Sequence, residues 1–183
     1  MRQDELAFQA QPITIVRPMA PSMRTLLLGM GNPFLSDDAV GIRLVGDFSR
    51  KFGNVVGLEI IEECTVAGMD ILQIIEGYDR LLLVDSIKTK EGIPGNWFRF
   101  TAQKLRETIH LTNIHDANFA TALSLGRQLG VKLPSDQEIH VFAVEVLNDF
   151  TFSERMTDKL EKAYSIYSEE IFCELKALLQ SQC

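Results

Sequence analysis

Apolar residues in this chain fall in short continuous runs separated by stretches of three- and four-residue periodicity, the pattern of strands alternating with helices. The run TLLL at 25–28 precedes a glycine-rich turn, after which Val40, Leu44, Val45 and Phe48 recur at helical spacing. A second cycle joins LEIIEE at 58–63, the turn CTVAG, and a helix carrying Met69, Leu72 and Ile75 on one face. RLLLVDSI at 80–87 is apolar without alternation over much of its length, as a strand covered on both faces of a parallel sheet requires. NWFRF at 96–100 follows a turn made by Gly92, Pro94 and Gly95 and reads as an edge strand or hairpin arm. After a polar linker, residues 116–130 predict an amphipathic helix with Phe119, Leu123 and Gly126 inward, stopped by Gly130 and Pro134. EIHVFAVEV at 138–146 is the fifth strand. Met156, Leu160, Ala163, Ile166, Ile171, Leu175 and Leu178 then predict one long helix over 153–179.

This order predicts an α/β fold in three layers: a twisted, mostly parallel five-stranded sheet with helices on both faces. A single domain over 23–183 accommodates it, since 183 residues is the size of one ordinary domain. Residues 1–22, interrupted by Pro12, Pro18 and Pro21, read as a flexible extension with at most a short strand at Ile13–Val16.

Composition narrows the function. Hydrophobic residues at 46% and charged residues at 23% exclude global disorder. A formal net charge of −7 disfavours nucleic acid as a partner. No apolar run reaches the ~20 residues that cross a bilayer, and Asp4 and Glu5 stand where a signal peptide would be basic. Cys64, Cys173 and Cys183 form neither an even set nor a CxxC pair, so a disulfide framework and a zinc finger are both unsupported. A cytoplasmic protein with reduced thiols is expected.

In open α/β sheets ligands bind at the carboxyl ends of strands. That rule selects the loop GMGNPFLSDDAVG (29–41) with Asn32, Asp37 and Asp38, then Asp85 at the end of the third strand, and His115 ahead of the helix at 116. A glycine-rich turn after a strand commonly cradles phosphate, yet two adjacent carboxylates would repel the anion, and Phe34 stands where the third glycine of GxGxxG belongs. Asp37 is explained as a helix-cap or first-turn residue. Asp38, Asp85 and His115 together make an oxygen-and-nitrogen set suited to a borderline divalent ion such as nickel or zinc, with coordination positions left open. Cys64 lacks a neighbouring base that would make it a nucleophile, and His110 and His140 read as residues without a site role.

The motifs LLLGMGNPFLSDDAVGIRLV, EECTVAGMDIL, LLLVDSI and NIHDANFATAL, in this order over about residues 24–179, resemble the hydrogenase maturation endopeptidases. These trim the C-terminal extension from the large subunit of nickel-iron hydrogenases after nickel insertion. The resemblance implies a phosphorylase/hydrolase-like fold and places the family's nickel-contacting, catalytic trio on Asp38, Asp85 and His115. It implies substrate contacts at Asn32, Cys64, Thr65 and Gly68. The nickel would arrive with the precursor, with no tightly bound cofactor of the protein's own, although zinc or cadmium would fit the same ligands in vitro. One departure is local: where the family's second-strand loop commonly reads Asp-Gly-Gly-Thr-x-Gly, Glu63, Cys64, Thr65, Val66 and Ala67 precede Gly68 here. Two other readings share the motifs. Peptidyl-tRNA hydrolase opens on a similar GxGNP turn but needs a histidine where Asp37 and Asp38 stand, and a nickel- or precursor-binding module that does not cut would use the same side chains.

Overall fold

A computed structural model describes residues 23–107 and 114–180, with the side chains of 106–107 and 114–117 outside that description. Its five strands are β1 (Thr25–Met30), β2 (Leu58–Cys64), β3 (Arg80–Ile87), β4 (Trp97–Thr101) and β5 (Ile139–Glu145). They form one sheet in the order β2-β1-β3-β5-β4, with β4 antiparallel to β5 and every other pairing parallel. The helices are α1 (Val40–Phe52), α2 (Ile71–Ile75), α3 (Ala102–Glu107), α4 (Ile114–Gln128) and α5 (Asp158–Gln180).

Strand parity sorts the core into two halves. On one face Leu26 and Leu28 of β1 and Leu81 and Leu83 of β3 pack with Ile71, Leu72 and Ile75 of α2 and with Ala122 and Leu123 of α4. On the other, Leu27, Leu82, Val84 and Phe142 meet Val40, Leu44, Val45 and Phe48 of α1 and Leu160, Tyr167, Ile171 and Leu175 of α5. The central strands are therefore apolar without alternation because helices cover both sides. The expected three-layer α/β architecture is the observed one.

Helix α1 lies unusually near the sheet. A methyl group on Gly41 would overlap the carbonyl oxygens of Met30 and Val84, so only glycine permits this approach. Gly31, at φ +140°, likewise faces the carbonyl of Asp38 with no room for a Cβ. The glycines of the 29–41 motif thus fit a helix against strand ends.

Three expectations shift. Met69 is 41% exposed, because Gly68 at φ +66° opens a 3-10 turn (Gly68–Asp70) that turns it away from the stripe of Ile71, Leu72 and Ile75. Ile166 is also exposed, one residue off the buried α5 stripe of Leu160, Tyr167, Ile171 and Leu175. Helix α5 begins at Asp158, five residues later than predicted, because residues 153–157 are tied into a loop described below. The linker after β4 holds α3, seated by buried Ala102 and Leu105. The possible strand at Ile13–Val16 lies outside the described residues.

Candidate active site at the strand crossover

The chain leaves β1 through α1 toward β2 on one side, then returns through α2 to β3 on the other side of β1. Helices α1 and α2 lie on opposite faces, so a crevice opens between the carboxyl ends of β1 and β3, where this class of sheet binds ligands. A cavity of about 510 Å³ occupies that position. Asn32, Asp38, Cys64, Thr65, Gly68 and Asp85 all line it, together with Ser86, Lys88, Phe119, Asp149 and Phe150.

Asp38 closes a 3-10 turn (Ser36–Ala39) just ahead of α1. Its Oδ2 accepts the backbone N–H of Asn32 at 2.9 Å, and its Oδ1 accepts the hydroxyl of Ser86 at 2.7 Å. Asn32 Oδ1 accepts the N–H of Phe34 at 3.0 Å, which helps to shape the loop. Asp85 follows the parity of Leu81 and Leu83 toward the face of α2 and α4, whereas Ser86 follows Leu82 and Val84 toward α1. The two acids thus reach the rim of β3 from opposite sides of the sheet and share one cavity. Asp85 Oδ1 accepts the N–H of Ser86 at 2.8 Å.

Asp37 is the first-turn residue expected, in the same 3-10 turn as Asp38, but its carboxylate makes no helix cap and serves a different purpose from its neighbour's. It is fully buried. Its carboxylate accepts the N–H groups of Leu147 (3.1 Å), Asn148 (3.0 Å) and Thr157 (2.6 Å) and the hydroxyl of Thr157 (3.0 Å). It ties the loop between β5 and α5 to the loop after β1. Ser36, at φ +36°, is held beside it by its N–H to Ser153 O (2.8 Å) and its hydroxyl to Arg155 O (3.2 Å).

Cys64 is buried at the end of β2 with its thiol toward the carbonyl of Val66 at 3.8 Å. Burial pushes its pKa up, and the negative charge of Asp85 adds to this against the lowering effect of the Val66 contact. It is a neutral thiol and a poor nucleophile. Among the described residues no three His, Cys, Asp or Glu side chains form a metal-holding group. His115 belongs to the first turn of α4, four residues ahead of Phe119 of the cavity wall, and its side chain lies outside the described residues.

Residue reasoning passed over Ser86, Lys88, Asp149 and Phe150. Lys88 pairs with Asp149 at 2.7 Å, with its ammonium 4.8 Å from the ring centre of Phe150. The strand-end rule that selects Asp38 and Asp85 also points to the loop after β5, so Asp149 was within reach of the same argument.

The profile of the hydrogenase maturation proteases matches residues 42–170, well over half of the chain. The chain belongs to that family. Asp85 and His115 fall within the matched span, and Asp38 lies just ahead of it. Among hydrogenase maturation proteases, the hydrogenase 2 maturation protease of Escherichia coli is 37% identical over 73 residues, which is 40% of this chain and 44% of that relative, so the alignment spans under half of its length. The fold is similar to that of the hydrogenase maturating endopeptidase HybD of E. coli, with a TM-score of 0.70 and 24% identity over 85% of this chain and 93% of that one. It is similar also to the nickel-iron hydrogenase maturation protease HycI of Thermococcus kodakarensis, with a TM-score of 0.61 and 17% identity over 86% and 95% of the two chains.

Proposed function

We propose that this protein is a cytoplasmic endopeptidase that removes the C-terminal extension of a nickel-iron hydrogenase large-subunit precursor after nickel insertion, with Asp38, Asp85 and His115 reading the precursor's nickel. The observation that carries this reading is the convergence of Asp38 and Asp85, from two distant stretches of sequence, on one cavity at the strand crossover. Family membership supplies the reaction class.

Two carboxylates facing one partly enclosed space favour a cation there. Asp38 is well suited to the task, because Asn32 and Ser86 each take one of its lone pairs and fix its orientation while others stay available. The imidazole of His115, delivered from α4, would complete a set of three. Such a set has open positions that only a partner bringing ion and thiolates together would fill, so nickel acts as a signal that the precursor is ready. Attack on the scissile carbonyl would come from a water deprotonated by one of the carboxylates or polarised by the precursor's nickel. Asn32, Thr65 and Gly68, along the cavity wall with Cys64, would contact the extended peptide. Zinc or cadmium would occupy the same ligands in vitro.

The test is to mix nickel-loaded precursor with the purified protein and follow its length on a gel. Shortening by the wild type and none by Asp38→Asn or His115→Ala is the expected result. Full cleavage by either variant would remove that residue from the site, and co-elution of wild type and precursor without shortening would make the protein a binding module.

A further inference from the structure

The loops after β1 and β5 are joined edge to edge. Leu35 and Ser153 form an isolated parallel bridge, with Ser153 N–H donating to Phe34 O at 3.0 Å and Ser36 N–H to Ser153 O at 2.8 Å. The bridge brings the residues that precede Leu35 and Ser153 close together on the two loops. These are Phe34 and Phe152, which are 59% and 84% exposed. Two residues before Phe152, Phe150 is 77% exposed and lines the cavity mouth, held over Lys88. Three phenylalanines therefore stand in solvent on a scaffold fixed by Asp37, beside the opening that leads to Asp38 and Asp85.

Exposed aromatic rings grouped in this way mark a contact surface. Taking about 200 Å² for each fully exposed phenylalanine side chain, the patch offers about 450 Å². A specific dimer buries about 800 Å² on each partner. The patch is too small to hold a second copy of this chain by itself, and Leu35 and Phe150 line the cavity, so the patch adjoins the space that the precursor's extension would enter.

We propose that Phe34, Phe150 and Phe152 form an aromatic collar that grips an apolar surface of the folded precursor next to its extension. The collar rests on the proposed function above. It sets affinity for the protein substrate and takes no part in bond cleavage. Aromatic anchors at the centre of a contact dominate its binding energy, so their loss raises the dissociation constant and KM together and leaves kcat in place.

The experiment compares the full-length wild type with Phe34→Ser/Phe152→Ser, the two collar residues outside the cavity wall, and with Leu129→Ser as a control at an exposed apolar residue just past the end of α4. Binding of nickel-loaded large-subunit precursor is measured on an immobilised surface and its cleavage by gel, with circular dichroism to verify folding. The double variant is expected to bind at least tenfold more weakly with kcat within twofold, and Leu129→Ser to match the wild type. Unchanged affinity and KM in the double variant would overturn the collar while cleavage still upheld the peptidase reading. Binding lost in the double variant alongside a wild type that holds but never cuts the precursor would uphold the collar and sink the peptidase reading. A wild type that binds no precursor, or that self-associates through these residues in sedimentation, would overturn the collar.

Discussion

Replacing Asp37 should damage the protein through its fold, and replacing Asp38 through its chemistry, although the two are adjacent carboxylates. Asp37→Ala strips four donors of their acceptor inside the protein: the N–H groups of Leu147, Asn148 and Thr157 and the Thr157 hydroxyl. Each buried donor left without a partner costs about 1–3 kcal/mol, a range whose lower end sums to about 4 kcal/mol. Water entering the vacated space recovers part of the upper end, so about 4 kcal/mol is the working value. Against a total stability of about 5–15 kcal/mol this is a large loss, worth about 8–16 °C in Tm for a chain of this size. Asp37→Asn is a finer test. Oδ2 serves three of the donors and Oδ1 only the Thr157 N–H, so the amide oxygen can keep the larger set while its NH₂ faces one N–H. About 2–3 kcal/mol should be lost, which is one charge-assisted bond and one opposed pair of donors. Asp38→Asn should cost about 1 kcal/mol or less. Its amide can still accept from Asn32, and the Ser86 hydroxyl can turn from donating to accepting. Urea titration of the three variants measures these differences through the midpoint at constant slope. Asp37→Asn within 1 kcal/mol of the wild type, or Asp38→Asn falling as far as Asp37→Ala, would refute the division of roles.

Other outcomes follow from the packing and titration of named groups. Cys64→Ser should retain processing of the precursor, since the thiol is held neutral; loss of cleavage by a folded Cys64→Ser protein would restore the cysteine as a candidate. Burial, then the positive charges of Arg99 and Arg80, lower the pKa of His140 below its ordinary 6.5, against the raising effect of Glu138. Above pH 6.5 this costs no stability, but as pH falls below 6.5 the unfolded chain takes up the proton first and stability declines toward the folded value. Urea titrations from pH 7 to 5 should therefore show a shallower decline in His140→Gln than in the wild type. Gly41→Ala should lose about 1–3 kcal/mol by thrusting α1 off the carbonyls of Met30 and Val84, with processing lost as Asp38 moves. Gly46→Ala, on the same helix with only Glu62 Oε2 near at 3.6 Å, should gain about 0.5–1 kcal/mol by thermal melting.

Much of the architecture was legible because its signals are periodic and its central strands are covered on both faces. LLLV before Asp85 has no polar alternation, and that alone placed the acid at a strand end inside a parallel sheet. Helix α3 was hidden in a polar linker, since a six-residue helix shows one turn of pattern, here Ala102 and Leu105. The start of α5 was misplaced because Met156 continues the apolar rhythm while Thr157 is captured by Asp37 from across the fold. The division of labour between Asp37 and Asp38 was not legible locally either, because Asp37 is claimed by Leu147, Asn148 and Thr157 from across the fold, while Asp38 joins the nearby N–H of Asn32 to the distant hydroxyl of Ser86. Asp38, Asp85 and Asn32 were found by their places at strand ends, and Cys64, Thr65 and Gly68 through the resemblance of their loop to the family's; the structure brings all six to one cavity.

That cavity takes its walls from six stretches between Met30 and Phe150, none of which holds more than a fragment of it. A full-length but unfolded copy has every one of these groups and no arrangement in which to use them. On the proposed function, activity would therefore await completion of the globule, and no excised loop or shortened version ending before β5 would carry a weakened form of it.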